Sequence, residues 1–265
     1  MSDVNQKMLL ITGSATSGKS YSLRNIRNKE KWIYLCTENK PLPFSSKIGT
    51  GGNFLIKNYT GNPEKVVPLL FAIGSKQGSI SSSDGSLNLD FKDCEGVILD
   101  SITLWGEDWR SKFITNAPKG TNTMKMWGTY ADTVQALIKA CAMLDIPVII
   151  LAHSTEITDD ITGEKYTKVV MKGSTDTNGL EAYFTTVMGA TVMTLEGEQE
   201  LPNNPWFTIT DREKKKKKKH VFQTEASASQ PKSKLRCPDF MFEDELYIDN
   251  DAQLVMDKII EYFGL

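Results

Sequence analysis

A run of eight residues near the N-terminus has the spacing of glycines, lysine and hydroxyl that binds nucleotide phosphates. Gly13 to Ser20 has the sequence GSATSGKS and matches the pattern GxxxxGK[ST] at every defined position. Glycines let such a loop wrap so that backbone N–H groups point at a β-phosphate, and a helix that begins near Gly18 adds its positive dipole end. Lys19 is expected to reach the β- and γ-phosphates, and the Ser20 hydroxyl to coordinate Mg²⁺. This segment is called the P-loop, and the residues predicted to bind a nucleotide such as ATP are Gly13, Ser14, Ala15, Thr16, Ser17, Gly18, Lys19 and Ser20.

Two carboxylates follow apolar runs that have the length of buried strands. Asp100 ends the run VILD, and an aspartate that closes a strand adjacent to the P-loop strand would hold the Mg²⁺ shell through water. Its alternative role is to cap the next segment. Glu38 follows the run YLCT, and in a parallel sheet this strand end faces the same crevice as the P-loop. A carboxylate there is predicted to orient and deprotonate the attacking water, and the alternative is an exposed loop glutamate.

A histidine closes a third apolar run. His153 follows VIILA, at the end of another predicted strand. Its imidazole is predicted to sense the γ-phosphate by hydrogen bonding, and the alternative is a strand-end histidine without a part in the mechanism. Lys19, Glu38, Asp100 and His153 are therefore candidate catalytic groups.

Apolar runs alternate with helical patterns up to residue 153. The predicted strands are Lys7–Thr12, Trp32–Thr37, Phe54–Lys57, Gly96–Leu99 and Pro147–Ala152, and the predicted helices are Gly18–Asn28, Pro63–Ile73 and Met126–Leu144. Gly74–Leu89 is rich in glycine and serine and is predicted to be a surface loop. This alternation indicates βαβ units and an α/β fold with a mostly parallel central sheet flanked by helices.

Beyond residue 153 the runs are shorter and predict antiparallel hairpin strands. These strands are Ala190–Leu195, Trp206–Asp211, Lys219–Thr224 and Glu245–Ile248, and an amphipathic helix at Asp251–Phe263 closes the chain. No linker clearly divides the sequence, so residues 1–265 are predicted to form a single domain. Its core would cover about residues 7–195, and its C-terminal strands, basic hairpin and closing helix about residues 196–265.

Composition argues against several classes of protein. The net charge of −2 and a pI of about 5.8 argue against a protein that coats nucleic acid through its overall charge. Four scattered cysteines and two histidines disfavour a disulfide framework or a zinc site and favour the reducing cytoplasm. No apolar run approaches the roughly 18 residues that span a bilayer, and the N-terminus lacks a signal-peptide pattern. A cytoplasmic protein without a membrane partner is therefore expected.

The order of the candidate groups resembles that of RecA-like ATPases. The P-loop is followed by Glu38 after the next strand, by Asp100 with a serine after it, and by a polar residue that closes the next strand. Small phage-encoded RecA-like proteins associated with recombination and single-strand annealing have a Walker B segment similar to ILDSI here, and a strand ending in histidine like Ala152–His153. The resemblance covers roughly residues 8–236. It implies a RecA-like P-loop ATPase with Glu38 as general base and His153 as γ-phosphate switch, acting on single-stranded DNA in phage recombination, repair or replication in the host cytoplasm.

A basic pair near the C-terminus extends this resemblance. Lys234-Leu235-Arg236 looks like the KxR element of RecA-like motors such as the DnaB helicases. In those proteins the basic pair reaches into the neighbouring subunit's site and stabilises charge on the transferring phosphoryl group. The resemblance therefore implies a catalytic role for Lys234 and Arg236 and a homo-oligomer, either a ring or a filament. Two surface cations on an edge strand are the alternative.

Two segments fall where RecA-like proteins place DNA-contacting loops. They span Trp105–Lys125, which includes Trp109, and Thr155–Asn178. Cations beside an aromatic ring suit a strand whose phosphates are neutralised while a base stacks. Both segments also contain acids, so solvated loops are the alternative. The candidate DNA-binding residues are Arg110, Lys112, Lys119, Lys125, Lys165, Lys168 and Lys172.

The six lysines at Lys214–Lys219 are predicted to lie in a hairpin between two strands. One interpretation is a charged edge that prevents strand-to-strand aggregation. The other is a phosphodiester-binding tip, whose binding would weaken steeply as salt rises. The family resemblance does not include this run, so both interpretations stay open.

Two other functions share the P-loop. A small-molecule kinase, such as a nucleotide kinase, usually needs an arginine-rich lid, and the few arginines here are not clustered. The other is a nucleotide-dependent assembly or packaging component. The leading hypothesis remains an ATPase that acts on single-stranded DNA, with a single-strand-binding or annealing protein as a further partner.

Overall fold

The computed structural model describes residues 5–44, 52–173, 179–196 and 201–265. Its strands are β1 Met8–Gly13, β2 Trp32–Cys36, β3 Leu55–Asn58, β4 Ser79–Ser81, β5 Asn88–Asp90, β6 Gly96–Asp100, β7 Val148–Thr158, β8 Lys165–Val169, β9 Thr186–Thr194, β10 Lys218–Gln223 and β11 Tyr247–Asp249. Its α-helices are α1 Val66–Gly74, α2 Ile102–Arg110, α3 Thr123–Ala142, α4 Asp211–Lys216 and α5 Ala252–Phe263. A π-helical turn covers Ser111–Thr115, and 3₁₀ helices cover Ser20–Asn25, Lys29–Lys31, Pro63–Lys65, Phe91–Asp93 and Leu180–Tyr183. Across these ranges, no helix is both long enough and apolar enough to pass through a bilayer.

The central sheet gives the site its position. Its strand order is β11-β10-β9-β1-β7-β6-β2-β3, and β8 pairs with β7 outside this path. The strands from β9 to β3 are parallel, whereas β10 runs antiparallel to both β9 and β11. The predicted α/β class, with a mostly parallel sheet and antiparallel strands towards the C-terminus, is confirmed. The carboxyl ends of the parallel strands meet at one edge, where Gly13 is in register with His153.

The strand that ends in Asp100 is not adjacent to the P-loop strand, contrary to the prediction. β7 pairs with β1 on one side and with β6 on the other. Sequence order does not fix lateral order, because α3 carries the chain back across the sheet and inserts β7 into the gap between β1 and β6. As a result, His153 lies between the P-loop and Asp100 along the edge of the sheet.

β1 is fixed from both faces of the sheet. Its side chains alternate between the two faces, as they do in any strand. Leu10 packs into the core beneath α1, α2 and α3, whereas Leu9 and Ile11 pack into the opposite core with Leu23 and with Val255 of α5. Burying one such side chain contributes about 1.5–3 kcal/mol. The P-loop therefore begins from a rigid strand.

Two local predictions before residue 100 are wrong. The helix predicted over Gly18–Asn28 is a shorter 3₁₀ helix over Ser20–Asn25, and the Arg27 amide beyond its end donates to the Gln253 side chain of α5 at 2.9 Å instead of continuing the helix. Gly74–Leu89, predicted to be a loop, contains β4 and the first two residues of β5, which pair as a hairpin.

The prediction that the lysine run lies in a hairpin between two strands is also wrong. Trp206–Asp211 is not a strand, because Thr210 and Glu213 form a reciprocal capping box that starts α4 instead. Lysines 214 to 216 therefore lie on a helix, and only Lys218 and Lys219 lie on β10. The ammonium of Lys219 is buried, 3.1 Å from Glu213 and 2.9 Å from Asp249.

The first predicted DNA-contacting segment is mostly helical rather than a loop. Trp105–Lys125 takes in most of α2, the π-helical turn and the start of α3. Trp109 is buried, with its ring 4.9 Å from that of Phe113 and 5.4 Å from that of Tyr130, so it does not present a face to a base. The second segment contains the β7–β8 hairpin, and its last residues, 174–178, lie outside the described residues.

Candidate nucleotide-binding site

The P-loop offers free backbone donors. Among the described groups, the amides of Ala15, Thr16, Gly18 and Lys19 find no hydrogen-bond acceptor, and only the Ser17 amide donates within the loop, to the Ser14 carbonyl at 3.4 Å. Polar groups of a folded chain rarely stay unpaired unless water or a ligand meets them. These amides are therefore available to donate to the oxygens of a polyphosphate.

Gly18 cannot carry a side chain. Its φ is +100°, a region that side chains disfavour, and a Cβ there would lie 2.9 Å from Nδ1 of His220. The same imidazole nitrogen lies 2.9 Å from the Ser17 carbonyl oxygen, so β10 supports the loop from behind. Loop shape therefore depends on a residue about 200 positions away in the sequence.

Lys19 is a buried cation. Its ammonium donates to the carbonyls of Gly13 and Ser14, at 2.7 Å each, and its residue is only 6% exposed. Burial lowers the pKa of Lys19 to about 8, although the nearby Asp100 carboxylate opposes this shift. A buried ammonium near its pKa gains from a partner of opposite charge, and the terminal phosphates of a nucleotide provide one.

Ser20 and Asp100 form a pair suited to Mg²⁺. The Ser20 hydroxyl donates to Oδ2 of Asp100 at 2.7 Å, and the Tyr34 hydroxyl donates to the same oxygen. The other oxygen, Oδ1, is buried and has no hydrogen-bond partner in the described structure. Mg²⁺ prefers oxygen ligands and keeps several of its waters. An orphaned carboxylate oxygen beside a serine hydroxyl fits such a hydrated ion.

Glu38 points into the site rather than into solvent. Its side chain is 4% exposed; Oε1 lies 3.0 Å from Nε2 of His153, and Oε2 is ion-paired with Lys40. Burial, then the positive charges of Lys19 and Lys40, lowers the pKa of His153. A neutral imidazole is therefore expected at pH 7, with Nε2–H donating to Glu38.

The strand ends are tied to one another. The hydroxyl of Thr37 donates to the Ser101 carbonyl and accepts from the Ser101 amide, at 2.9 Å each, which joins β2 to the start of α2. The His153 amide donates to the hydroxyl of Thr103 on α2 at 2.9 Å. These bonds set Glu38, Asp100 and His153 relative to one another.

The predicted trans-acting pair is held by its own chain. Arg236 donates to the carbonyls of Phe184 at 2.9 Å and Glu181 at 2.5 Å, and the Lys234 ammonium lies against Gly179. If the Arg236 side chain extended into a neighbouring subunit, its two hydrogen bonds to these carbonyls would have to be replaced. The role of both residues in trans stays a prediction.

Several predicted DNA-contacting cations already have acidic neighbours. Arg110 lies 3.5 Å from Glu107, and the ammonium groups of Lys112 and Lys165 lie 2.9 Å from Glu64 and Glu156 respectively. Lys168 and Lys172 also have partners. Lys119 lies in the turn before α3, and Lys125 in the first turn of that helix.

Sequence reasoning missed three residues of the site: Tyr34, Lys40 and His220. Tyr34 faces Asp100 because β2 pairs with β6, which only the strand order shows. Lys40 follows Glu38 by two residues, a proximity that could have suggested it. His220 had no local signal, since its contact with the P-loop depends on β10 packing at the far side of β9.

Comparison with known families decides the assignment. An AAA domain family matches residues 5–234, which include the P-loop, Glu38, Asp100 and His153. The chain belongs to this AAA domain family. Membership supports a P-loop ATPase, with nucleotide binding that usually involves Mg²⁺. Comparison of this AAA domain with the curated proteins found no match.

Replacing Lys19 with alanine should remove nucleotide binding from this AAA domain. Loss of one partner of a buried charge pair typically costs about 2–5 kcal/mol, which corresponds to roughly 30-fold or more in affinity. Calorimetric titration with Mg-ATP measures the change, with Lys65→Ala, an exposed lysine before α1, as the control. Wild-type affinity in a folded Lys19→Ala variant would refute the P-loop assignment.

Glu38→Gln should bind Mg-ATP normally and lose turnover by about 10²–10⁴-fold, because an amide cannot accept the proton of water. Phosphate release under saturating ATP measures the loss. Glu95→Gln, which alters an ion-paired glutamate before β6, should keep full turnover. Unchanged turnover in Glu38→Gln would remove this residue from the mechanism.

Proposed function

We propose that this chain is a RecA-like ATPase that hydrolyses ATP at an interface between its own copies in response to single-stranded DNA. The observation that carries the proposal is the contact between Glu38 and His153 at the mouth of the P-loop. It brings together a proposed general base at the end of β2 and a proposed phosphate-sensing group on β7, across the end of β6. The resemblance to phage RecA-like proteins supports a task in phage recombination, repair or replication, in the cytoplasm of the bacterial host.

The residues divide the work of hydrolysis among them. The P-loop amides and Lys19 bind the β- and γ-phosphates, while Ser20 and Asp100 would hold Mg²⁺, which neutralises charge on those phosphates when bound. Glu38 accepts a proton from water as the water oxygen attacks the γ-phosphorus, and ADP leaves. Because His153 donates to Glu38, a hydrogen bond from His153 to the γ-phosphate would change the position of the base.

β7 offers a path from the nucleotide to DNA. It carries His153 and then continues into the β7–β8 hairpin, which bears Lys165 and Lys168. A change at His153 therefore acts on the strand that supports the hairpin. DNA phosphates would compete with Glu156 for Lys165. We propose that the hairpin, with the cations Arg110, Lys112, Lys119, Lys125 and Lys172, forms the DNA-contacting side.

Space beside Glu38 supports hydrolysis at an interface. A cavity of about 400 Å³ opens there, and its lining includes Glu38, Glu107, Asp108 and Arg110. Three acids and a single arginine leave this lining net negative, so a cation from a neighbouring copy would find complementary charge beside Glu38. We propose Lys234 and Arg236 for this role, in a ring or a filament, with a single-strand-binding or annealing protein as a further partner.

A small-molecule kinase is less well supported. Among the described residues, no arginine lines the cavity at the P-loop. The basic residues that line this cavity are Lys19, Lys40, His153 and His220. Arg24 donates to the Asn250 carbonyl at 2.6 Å, and Arg27 pairs with Asp257. Neither is placed to form a lid over the phosphates.

ATP turnover measured with and without single-stranded DNA, across protein concentration, tests this function. Turnover per chain should rise on the order of tenfold or more with DNA and with concentration, because a cation supplied in trans stabilises transition-state charge. Lys19→Ala serves as the inactive control. Turnover independent of both variables would contradict the proposal, and phosphate transfer to a nucleoside monophosphate would favour the kinase.

A further inference from the structure

Four cations lie close together in sequence near the start of β10, and none of them has an ionic partner among the described residues. Arg212, Lys215, Lys216 and Lys218 are exposed and make no ion pair within the described part of the chain. We call these four residues the basic tip. Their basic neighbours in the same segment do have acidic partners: Lys214 with Asp211, Lys217 with Glu196, and Lys219 with Glu213 and Asp249. Within the described residues, the positive charge of this segment that no acid pairs with is therefore concentrated at the tip.

The fold holds the backbone of the basic tip in place. The Thr210–Glu213 capping box fixes the start of α4, and Lys217 ends the helix in a left-handed conformation with a φ of 58°. Lys219, which follows the tip residue Lys218, is only 6% exposed. Its ammonium is ion-paired with Glu213 and Asp249 and lies 5.4 Å from the centre of the Phe207 ring. Side chains on an ordered backbone lose less entropy on binding.

We propose that the basic tip binds the phosphate backbone of single-stranded DNA, in addition to the β7–β8 hairpin. This inference rests on the proposed function. Residues 211–218 contain no apolar side chain, so an acidic protein partner would find no hydrophobic anchor there. A phosphodiester chain needs only cations, whose binding releases condensed counterions. Phosphates that bind at the tip would displace no ion pair between described residues, whereas phosphates at Lys112 or Lys165 would displace the pairs with Glu64 and Glu156.

The basic tip is close to the nucleotide site along the chain. β10 begins at Lys218, and His220, two residues later, contacts the P-loop at Ser17. Two residues of a strand span about 6–7 Å. DNA bound at the tip would therefore contact β10, the β-strand that supports the P-loop.

The salt dependence of DNA affinity tests the basic tip. Anisotropy of a labelled oligothymidylate is measured across NaCl concentrations for the full chain, for Lys215→Gln/Lys216→Gln/Lys218→Gln, and for Lys65→Gln/Lys92→Gln/Lys139→Gln. The second triple variant removes the same charge from exposed lysines outside the tip. Each lost phosphate contact should reduce the log–log slope by about 0.7, so the tip variant should lose about 2 in slope and roughly 10- to 100-fold in affinity at low salt.

The outcomes separate this inference from the proposed function. No binding by the unaltered chain overturns both. Binding with equal slopes for the unaltered chain and the tip variant overturns the basic tip alone, as does an equal loss in both triple variants. A triple Lys→Arg variant at the tip keeps the positive charges and should have the same log–log slope as the unaltered chain. If thermal unfolding shows that this variant is folded and its slope is nevertheless reduced, the result would also contradict a phosphate contact.

Discussion

The buried ammonium of Lys19 is the interaction on which the site depends. Two loop carbonyls hold it, and burial lowers its pKa to about 8, so the charge is costly until phosphate oxygens meet it. The loop can present this charge only because β1 is packed from both faces of the sheet and because Gly18 lets His220 approach the loop closely. Core packing and phosphate binding are thus parts of one arrangement.

The second constraint is the place of β7 between β1 and β6. It brings His153 between the P-loop and Asp100, within 3.0 Å of Glu38. The same strand continues past the site into the β7–β8 hairpin, so the group proposed to sense the γ-phosphate and a surface proposed for DNA share one backbone. At the other end of the sheet, β10 joins the basic tip to the P-loop in a similar way.

Local chemistry was predictable from the sequence, and lateral arrangement was not. The P-loop is a contiguous motif, and Glu38, Asp100 and His153 were found because parallel strands expose their carboxyl ends at one edge. The order of β1, β7 and β6 depends on crossovers that no short pattern encodes. The lysine run was wrongly placed in a hairpin because the Thr210–Glu213 capping box starts a helix there, and Tyr34 and His220 join the site only through strand pairing.

Calorimetric titration with Mg-ADP and, separately, with AMP and Mg²⁺ tests the central claim most directly. If the loop amides and Lys19 hold the β-phosphate, ADP binds while AMP, which lacks that phosphate, binds on the order of 100-fold more weakly or not at all. Equal affinity for the two nucleotides, or no heat with ADP, would contradict the account.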